Sequence, residues 1–139
     1  MSTRTGDTER QAAPQLSRRL GRADPRAVPD ARRALRELLR HWGRPGRSEI
    51  AELLTSELVT NALAHTDEDA VLTATVGRHG LRVEVRDAAR RLPRRRMPEP
   101  DRDTNGRGLL LVDSLADAWG VRPCEPGKSV WFELGADAA

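Results

Sequence analysis

The sequence predicts an α+β fold, a two-layer sandwich in which helices cover one face of a mixed, mostly antiparallel sheet. The first supporting observation is the order of the predicted elements: helix, helix, hairpin, long loop, helix and hairpin, without regular alternation of single strands and helices. The second is the length, since 139 residues suffice for one domain with a hydrophobic core. A doubly wound parallel sheet is therefore not expected.

The two ends of the chain carry little that could be buried. Residues 1–14 are polar and predict a disordered N-terminal arm, and residues 136–139 predict a short disordered tail. The folded domain is expected over residues 15–135. Its first element is predicted to be an edge strand, LSRRL, at residues 16–20.

Two helices are predicted next, from apolar residues at helical spacing. The first covers DARRALRELLRHWG, with Pro29 in its first turn and Gly43 at its end. The second begins at Ser48, a good N-cap residue, and runs to about His65. The apolar face predicted for this second helix consists of Ile50, Leu53, Leu54, Leu58, Ala62 and Leu63.

The remaining elements are two hairpins and one helix. Residues 70–87 contain two runs rich in Val, Leu and Thr that turn near His79 and end near Asp87. Residues 88–105 carry three prolines and six arginines, and they predict a mobile loop of a length that is usually functional. A helix is expected to open at Gly106, followed by a hairpin with the strands AWGVRP and KSVWFEL.

The composition excludes several classes of protein. Of 24 basic residues 23 are arginine, which keeps the pI near 10.3 although the formal net charge is only +3. Cys124 is the only cysteine, which rules out an intramolecular disulfide and a cysteine-based zinc site. No segment approaches the roughly 20 apolar residues of a membrane span, and no signal peptide is visible. A cytoplasmic protein that binds neither membrane nor nucleic acid is expected.

Two polar side chains lie one helical turn apart in the second helix. Glu57 and Asn61 are four residues apart, so they share a helix face with Leu53 and His65. A magnesium ion with phosphates and water would satisfy a carboxylate and a carboxamide at such a position. The alternative is an ordinary solvated helix edge, which helix periodicity alone favours.

Two further features could bind a nucleotide. Asp87 ends an apolar strand, where its carboxylate could accept the exocyclic amine of adenine, although aspartates at strand ends are also common turn formers. Gly106 and Gly108 open a helix, and the free N–H groups and positive dipole end of a helix start suit a phosphate chain. The alternative for the glycines is a flexible turn into a helix.

Other candidate motifs are incomplete. Gly127, Lys128 and Ser129 spell the tail of a P-loop, but Arg122 replaces its first glycine and the segment leads into a strand pattern. The three histidines show no metal-ligand spacing, and no Gly-flanked serine indicates a nucleophilic triad. The arginines of residues 90–96 lack interleaved aromatics, which favours a solvated loop over a nucleic-acid site.

The chain resembles the GHKL ATP-binding superfamily, which includes gyrase and histidine kinases and has the Bergerat ATP-binding fold. The resemblance lies in four segments that occur in the family's order: SELVTNALAHT, VEVRDAARRLP, GRGLLLVDSLADAWGV and GKSVWFEL. Within the superfamily, residues 27–134 are most similar to the small, single-domain branch of anti-sigma factor serine/threonine kinases.

The resemblance implies ATP and Mg²⁺ as cofactors and assigns roles by position. It makes Asn61 the magnesium-binding residue, Glu57 the catalytic general base and Asp87 the residue that recognises adenine. It places Ser129 in the final strand, near the adenine. The phosphate-binding glycine box corresponds to four residues: Gly106, Arg107, Gly108 and Leu109.

The resemblance also implies a function. It predicts an ATP-dependent protein kinase that transfers the γ-phosphoryl group to a serine or threonine of a small antagonist protein, with sequestration of a sigma factor as a second role and homodimerisation. One departure is that Asp87 is followed by Ala-Ala-Arg-Arg where the family has x-G-x-G, which predicts weaker nucleotide binding. The alternative is a non-catalytic protein-interaction module of the same fold, either nucleotide-gated or nucleotide-free.

Overall fold

The computed structural model describes residues 15–64, 69–78, 80–87, 104–124 and 127–136, with the backbone alone for residues 104–108. The predicted arm, the predicted tail beyond Ala136 and all of the predicted loop except its last two residues lie outside these ranges. The described elements are, in chain order, β1 (Gln15–Leu20), α1 (Ala27–Leu38), α2 (Arg47–Ala64), β2 (Ala70–Gly77), β3 (Gly80–Asp87), α3 (Thr104–Leu115), β4 (Ala118–Pro123) and β5 (Lys128–Leu134).

The five strands form one sheet in the order β1-β2-β3-β5-β4. The predicted α+β class is confirmed. Every neighbouring pair of described strands is antiparallel, where a mixed, mostly antiparallel sheet was predicted. The two hairpins account for the β2–β3 and β4–β5 pairs, because strands joined by a tight turn can only run in opposite directions. The pairs β1–β2 and β3–β5 are antiparallel too, although other elements separate these strands along the chain. β1 lies at an edge of the sheet, as predicted.

The two faces of the sheet differ in burial, because side chains alternate along each strand. The helices cover one face: α1 contacts β1, α2 contacts β2, β3 and β5, and α3 contacts β4. The core between the two layers includes the inward side chains Leu72, Ala74, Leu81, Val83, Val85, Val130, Phe132 and Leu134. The described chain is therefore a two-layer sandwich.

The first helix, α1, begins at Ala27, three residues earlier than predicted, and ends at Leu38. The side chain of Asp24 accepts the backbone N–H of Arg26 at 2.9 Å, and its carbonyl accepts that of Ala27 at 3.0 Å. These bonds start the first turn. Pro29 is tolerated within this turn, because the first N–H groups of a helix have no intrahelical partner.

The other two helices also begin before their predicted starts. α2 begins at Arg47, so Ser48 lies inside the helix and is not its N-cap. α3 begins at Thr104, two residues before Gly106. Among the described residues, no helix combines the length and the apolar character needed to cross a membrane.

Helix α2 runs along the sheet from one end to the other. At its start, the Arg47 guanidinium donates to the Gly135 carbonyl at 3.0 Å, just beyond β5. At its other end, Ala64 is followed after five residues by Ala70, which pairs with Asp87 at the end of β3. From Ala64 to Ala70 the chain has six Cα–Cα steps, which span at most roughly 20–22 Å. The last residue of α2 therefore lies within that distance of Ala70, which pairs with Asp87.

A bidentate ion pair joins α1 to α2. Arg36 Nε and Nη2 donate to the two Glu52 carboxylate oxygens at 3.1 and 2.9 Å. The hydrogen bond to Glu52 and then its negative charge raise the pKa of the Arg36 guanidinium. Paired N–H donors of this kind fix orientation as well as distance, so the pair sets the alignment of the two helices.

Thr55 in α2 carries a buried hydroxyl that has no hydrogen-bond partner among the described residues. A buried polar group without a partner costs about 1–3 kcal/mol. Thr55→Val keeps the shape and removes the hydroxyl, so it is expected to raise the free energy of unfolding by about 1 kcal/mol. Urea denaturation measures this change. The exposed Thr60→Val is the control, and a loss of stability in Thr55→Val would contradict the expectation.

Candidate functional site

One end of the sheet, called here the Asp87 end, carries the predicted site residue Asp87. It is defined by Ala70, Asp87 and Lys128, which oppose one another across β2, β3 and β5. Ala64, the last residue of α2, is tied to this end through its short connection to Ala70. Helix α3 leads into β4 through Asp117, whose N–H donates to the Glu133 carbonyl at the opposite end of the sheet. α3 packs on both α2 and β4, and its first turn is the end of the helix that lies farther from Asp117 along the chain.

Glu57 and Asn61 lie one turn apart near the end of α2, and both are half-buried. Within the described part of the chain, neither side chain makes a hydrogen bond or an ion pair. Leu53 lies one turn earlier on the same row. It was predicted to belong to the apolar face of the helix, but it is 41 % exposed, so this prediction is wrong. The row therefore borders the buried stripe formed by Ala51, Leu54, Thr55, Leu58, Val59 and Ala62.

Asp87 is 3 % exposed and its carboxylate faces the helical layer, as expected of the last residue in the alternation of β3. The Lys128 ammonium donates to its Oδ2 at 3.0 Å. A buried carboxylate needs such a partner, because an unpaired charge in the interior is costly. The group assigned to adenine by resemblance is thus already engaged by a cation from β5.

Gly127 holds the start of β5 against Asp87. A Cβ atom at Gly127 would lie 2.0 Å from the Asp87 carbonyl oxygen and 2.8 Å from its Oδ1. Gly127 also has φ of +86°, a left-handed conformation that side chains disfavour. The Cys124 N–H donates to the Gly127 carbonyl at 2.9 Å and closes the hairpin. Glycine at this position therefore sets the contact between Asp87 and Lys128.

The predicted glycine box lies in the first turns of α3. Gly106 is the third residue of this helix, so its N–H group is among the four that have no intrahelical acceptor. Arg107, Gly108 and Leu109 come later, where N–H groups bond within the helix. Leu109 is half-buried and packs against the core. The helix start thus provides a free backbone donor from the first residue of the predicted box.

Ser129 lies on the other face of the sheet. In antiparallel pairs directly opposed residues share a face, and Ser129 opposes Arg86 and Arg122, whereas Asp87 opposes Lys128. The Ser129 hydroxyl donates to the Glu84 carboxylate, which also accepts Arg122 Nη2 at 2.8 Å. The structure therefore does not bring the Ser129 side chain together with that of Asp87.

Lys128 is the residue near Asp87 that sequence reasoning missed. The pattern of apolar residues in the two strands could have revealed it. Every second residue of each strand is apolar and faces the core, and these residues pair across the strands: Val130 with Val85, Phe132 with Val83 and Leu134 with Leu81. Extending that register by one more pair places Lys128 opposite Asp87. The incomplete P-loop pattern of GKS does not indicate this pairing.

The predicted ligand residue Asn61 has the chemistry needed to bind magnesium together with the phosphates of a nucleotide. Within the described ranges, no group of three or more His, Cys, Asp or Glu residues could hold a metal ion. Magnesium bound with a nucleotide needs only one or two protein ligands, because phosphates and water supply the others. The half-buried Asn61 amide suits this role. A nucleotide base that binds to Asp87 would share this carboxylate with the Lys128 ammonium.

The model of one known protein family matches most of the chain. Residues 21–134 match the family described as histidine kinase-like ATPase domain, a span that extends from just after β1 to the end of β5. No curated protein shows a significant match to the chain. A domain of this family implies ATP binding. Because the match covers well over half of the sequence, the chain belongs to the histidine kinase-like ATPase domain family of the GHKL superfamily.

Proposed function

We propose that this protein binds magnesium-ATP at the Asp87 end and transfers the γ-phosphoryl group to a serine or threonine hydroxyl of a protein partner. The observation that carries the proposal is the position of Glu57 and Asn61, which are half-buried and one turn apart on the helix that ends there. The proposed partner is a small antagonist protein, as the resemblance to anti-sigma factor kinases suggests. A sigma factor as second partner and a homodimer belong to the same proposal.

Each proposed role is supported by a position in the fold. The Asn61 amide oxygen holds Mg²⁺, which offsets the charge of the phosphates. The free N–H group of Gly106, with those before it in the first turn of α3, holds phosphate oxygens. The Glu57 carboxylate, one turn before Asn61, accepts the proton of the incoming hydroxyl. Positioning and charge neutralisation are the main requirements of phosphoryl transfer.

Replacing Glu57 with glutamine is expected to leave ATP affinity within about twofold and to slow transfer by roughly 10²–10⁴-fold. Glutamine keeps the size and polarity of the side chain but cannot accept the proton. Calorimetric titration measures the affinity. Transfer is measured with γ-labelled ATP and antagonist proteins encoded beside this chain.

The control for this experiment is Glu49→Gln, in the exposed first turn of the same helix, which should change neither quantity. Transfer at the wild-type rate by Glu57→Gln would refute the role of Glu57 as the base. Loss of ATP binding in the same variant would instead indicate that Glu57 acts in binding.

A non-catalytic interaction module of the same fold is the second candidate. The observation that favours it is that Asp87 is paired with Lys128 within the chain itself, so the buried carboxylate has a counter-charge without a nucleotide. Magnesium-ATP binding without transfer would support a nucleotide-gated module, and partner binding without any ATP binding would support a nucleotide-free one. The arginines of residues 90–96, considered for nucleic acid, lie outside the described residues.

A further inference from the structure

Lys128 has a role that the resemblance does not assign. We propose that Lys128 recognises the base of the bound nucleotide together with Asp87, by donating a hydrogen bond to the ring nitrogen beside the amine that Asp87 accepts. For adenine this ring nitrogen is N1. The inference rests on the proposed nucleotide site and adds a specificity-determining residue to it.

The placement of the pair makes the ammonium accessible to a ligand. Lys128 Nζ lies 3.0 Å from Asp87 Oδ2, and the Lys128 side chain is 36 % exposed whereas that of Asp87 is 3 % exposed. Asp87 is therefore covered, and Lys128 is the partner that reaches solvent. A base that approaches the carboxylate must also meet the ammonium.

The ammonium can serve both groups at once. A lysine side chain carries three N–H donors and no acceptor. One donor is used on Asp87, and no other hydrogen bond of the Lys128 side chain occurs with a described residue. The buried carboxylate needs its counter-charge, so Lys128 has reason to stay in place when a base binds. The remaining donors are then available to the ligand.

The pair is complementary to the edge of adenine. Enzymes that select a base read the hydrogen-bonding groups along its Watson–Crick edge. On adenine, the N6 amine is a donor and the adjacent N1 is an acceptor. Asp87 and Lys128 present an acceptor and a donor side by side, so the carboxylate can take the amine while the ammonium reaches N1.

The backbone at the start of β5 holds Lys128 in the position from which it could contact the base. Gly127 allows the backbone to approach Asp87 more closely than any side chain would, and the register then places Lys128 directly opposite. Lys128 is also the only lysine of the chain, in contrast to 23 arginines. The compact ammonium has three donors that can rotate toward separate acceptors, whereas a planar guanidinium holds its donors in a rigid fork.

The test changes the ligand and leaves the protein intact. The affinity of the full chain for ATP, 1-deaza-ATP and 7-deaza-ATP is measured with saturating Mg²⁺. 1-Deaza-ATP lacks the N1 acceptor and is expected to bind roughly 10-fold more weakly or worse, the usual effect of a lost hydrogen bond to a charged group. 7-Deaza-ATP lacks a ring nitrogen away from this edge and should bind like ATP. Equal affinity for ATP and 1-deaza-ATP would overturn the inference.

Variants locate the effect on Lys128. Lys128→Met should weaken ATP binding by a similar factor and remove the difference between ATP and 1-deaza-ATP. Arg122→Met, which removes a cation from the other face of the same hairpin, should keep the difference. Tighter ATP binding by Lys128→Met would show that the ion pair blocks the base, and a difference that persists in this variant would show that another group reads N1. Either result refutes the proposal.

A labelling experiment serves if Lys128→Met fails to fold. Because Lys128 is the only lysine, an amine-reactive reagent marks one side chain besides the terminal amine, and mass spectrometry separates the two. ATP is expected to protect Lys128 more strongly than 1-deaza-ATP at equal occupancy, and equal protection would contradict the contact with N1. Absence of any ATP binding to the wild type would refute the proposed function itself, whereas ATP binding without discrimination at N1 refutes only this inference.

Discussion

Replacing Asn61 with alanine is expected to weaken magnesium-ATP binding by at least about 10- to 100-fold, since even outer ligands of a metal have effects of this size. Asn61 is half-buried, and no described residue bonds its side chain, so its removal should cost the fold little. The substitution should therefore reduce the affinity for magnesium-ATP and leave the stability of the fold nearly unchanged. Calorimetric titration with ATP at fixed Mg²⁺ measures it, and thermal unfolding without ligand checks the fold.

Two controls make this result specific. Thr60→Ala changes the exposed neighbour on α2 and should bind like the wild type. Repeating the titration with the magnesium chelated should bring the wild type and Asn61→Ala to the same weak affinity, because the missing contact runs through the metal. If the two proteins still differ without magnesium, Asn61 contacts the nucleotide directly. Undiminished affinity of Asn61→Ala with Mg²⁺ would remove Asn61 from the site.

Gly127→Ala is expected to lower the free energy of unfolding by at least about 2–3 kcal/mol, the upper part of the range for a strained backbone position. The alanine would keep φ of +86°, and its Cβ would stand 2.0 Å from the Asp87 carbonyl oxygen, a distance that forces β3 and β5 apart. The movement would also pull Lys128 from Asp87. Urea denaturation of the variant against the wild type measures the loss.

Two other glycines separate the causes of this loss. Gly46 has φ of +95°, and among the described residues no atom beyond its chain neighbours lies within 4 Å of the place that a Cβ would take. Gly46→Ala therefore carries the conformational cost without the collision. Gly77 has an ordinary φ and equally open space, so Gly77→Ala should be close to neutral. The expected order of destabilisation is Gly127→Ala, then Gly46→Ala, then Gly77→Ala. Equal losses at Gly127 and Gly46 would contradict a role for the contact with Asp87.

The order and type of the elements were predictable because they depend on local patterns. The alternation of Leu81, Val83 and Val85 with charged residues predicts β3, and the spacing of Leu54, Leu58 and Ala62 predicts α2. The starts of the helices were less predictable. Asp24 begins α1 through two hydrogen bonds that apolar periodicity does not show. Serine is a residue type preferred at N-caps, yet Ser48 lies within α2.

The candidate site also contains some features that the sequence predicts and others that depend on tertiary structure. The proximity of Glu57 and Asn61 follows from a spacing of four residues on one helix, which the sequence contains. The position of Ser129 depends instead on which residue of β5 opposes Asp87, and a shift of one residue moves every side chain to the other face. Tertiary pairing put Lys128 beside Asp87 and Ser129 beside Glu84.

The sequence by itself determined the class of fold, the order of its elements, the membership in an ATP-binding family and the helical pair of Glu57 and Asn61. These depend on residues close together in the chain or on motifs that appear in order. Only the tertiary structure decided what surrounds Asp87, because residues 41 positions apart meet there through the register of two strands. That register is set by a shared core and by the close approach at Gly127, neither of which local sequence spacing records.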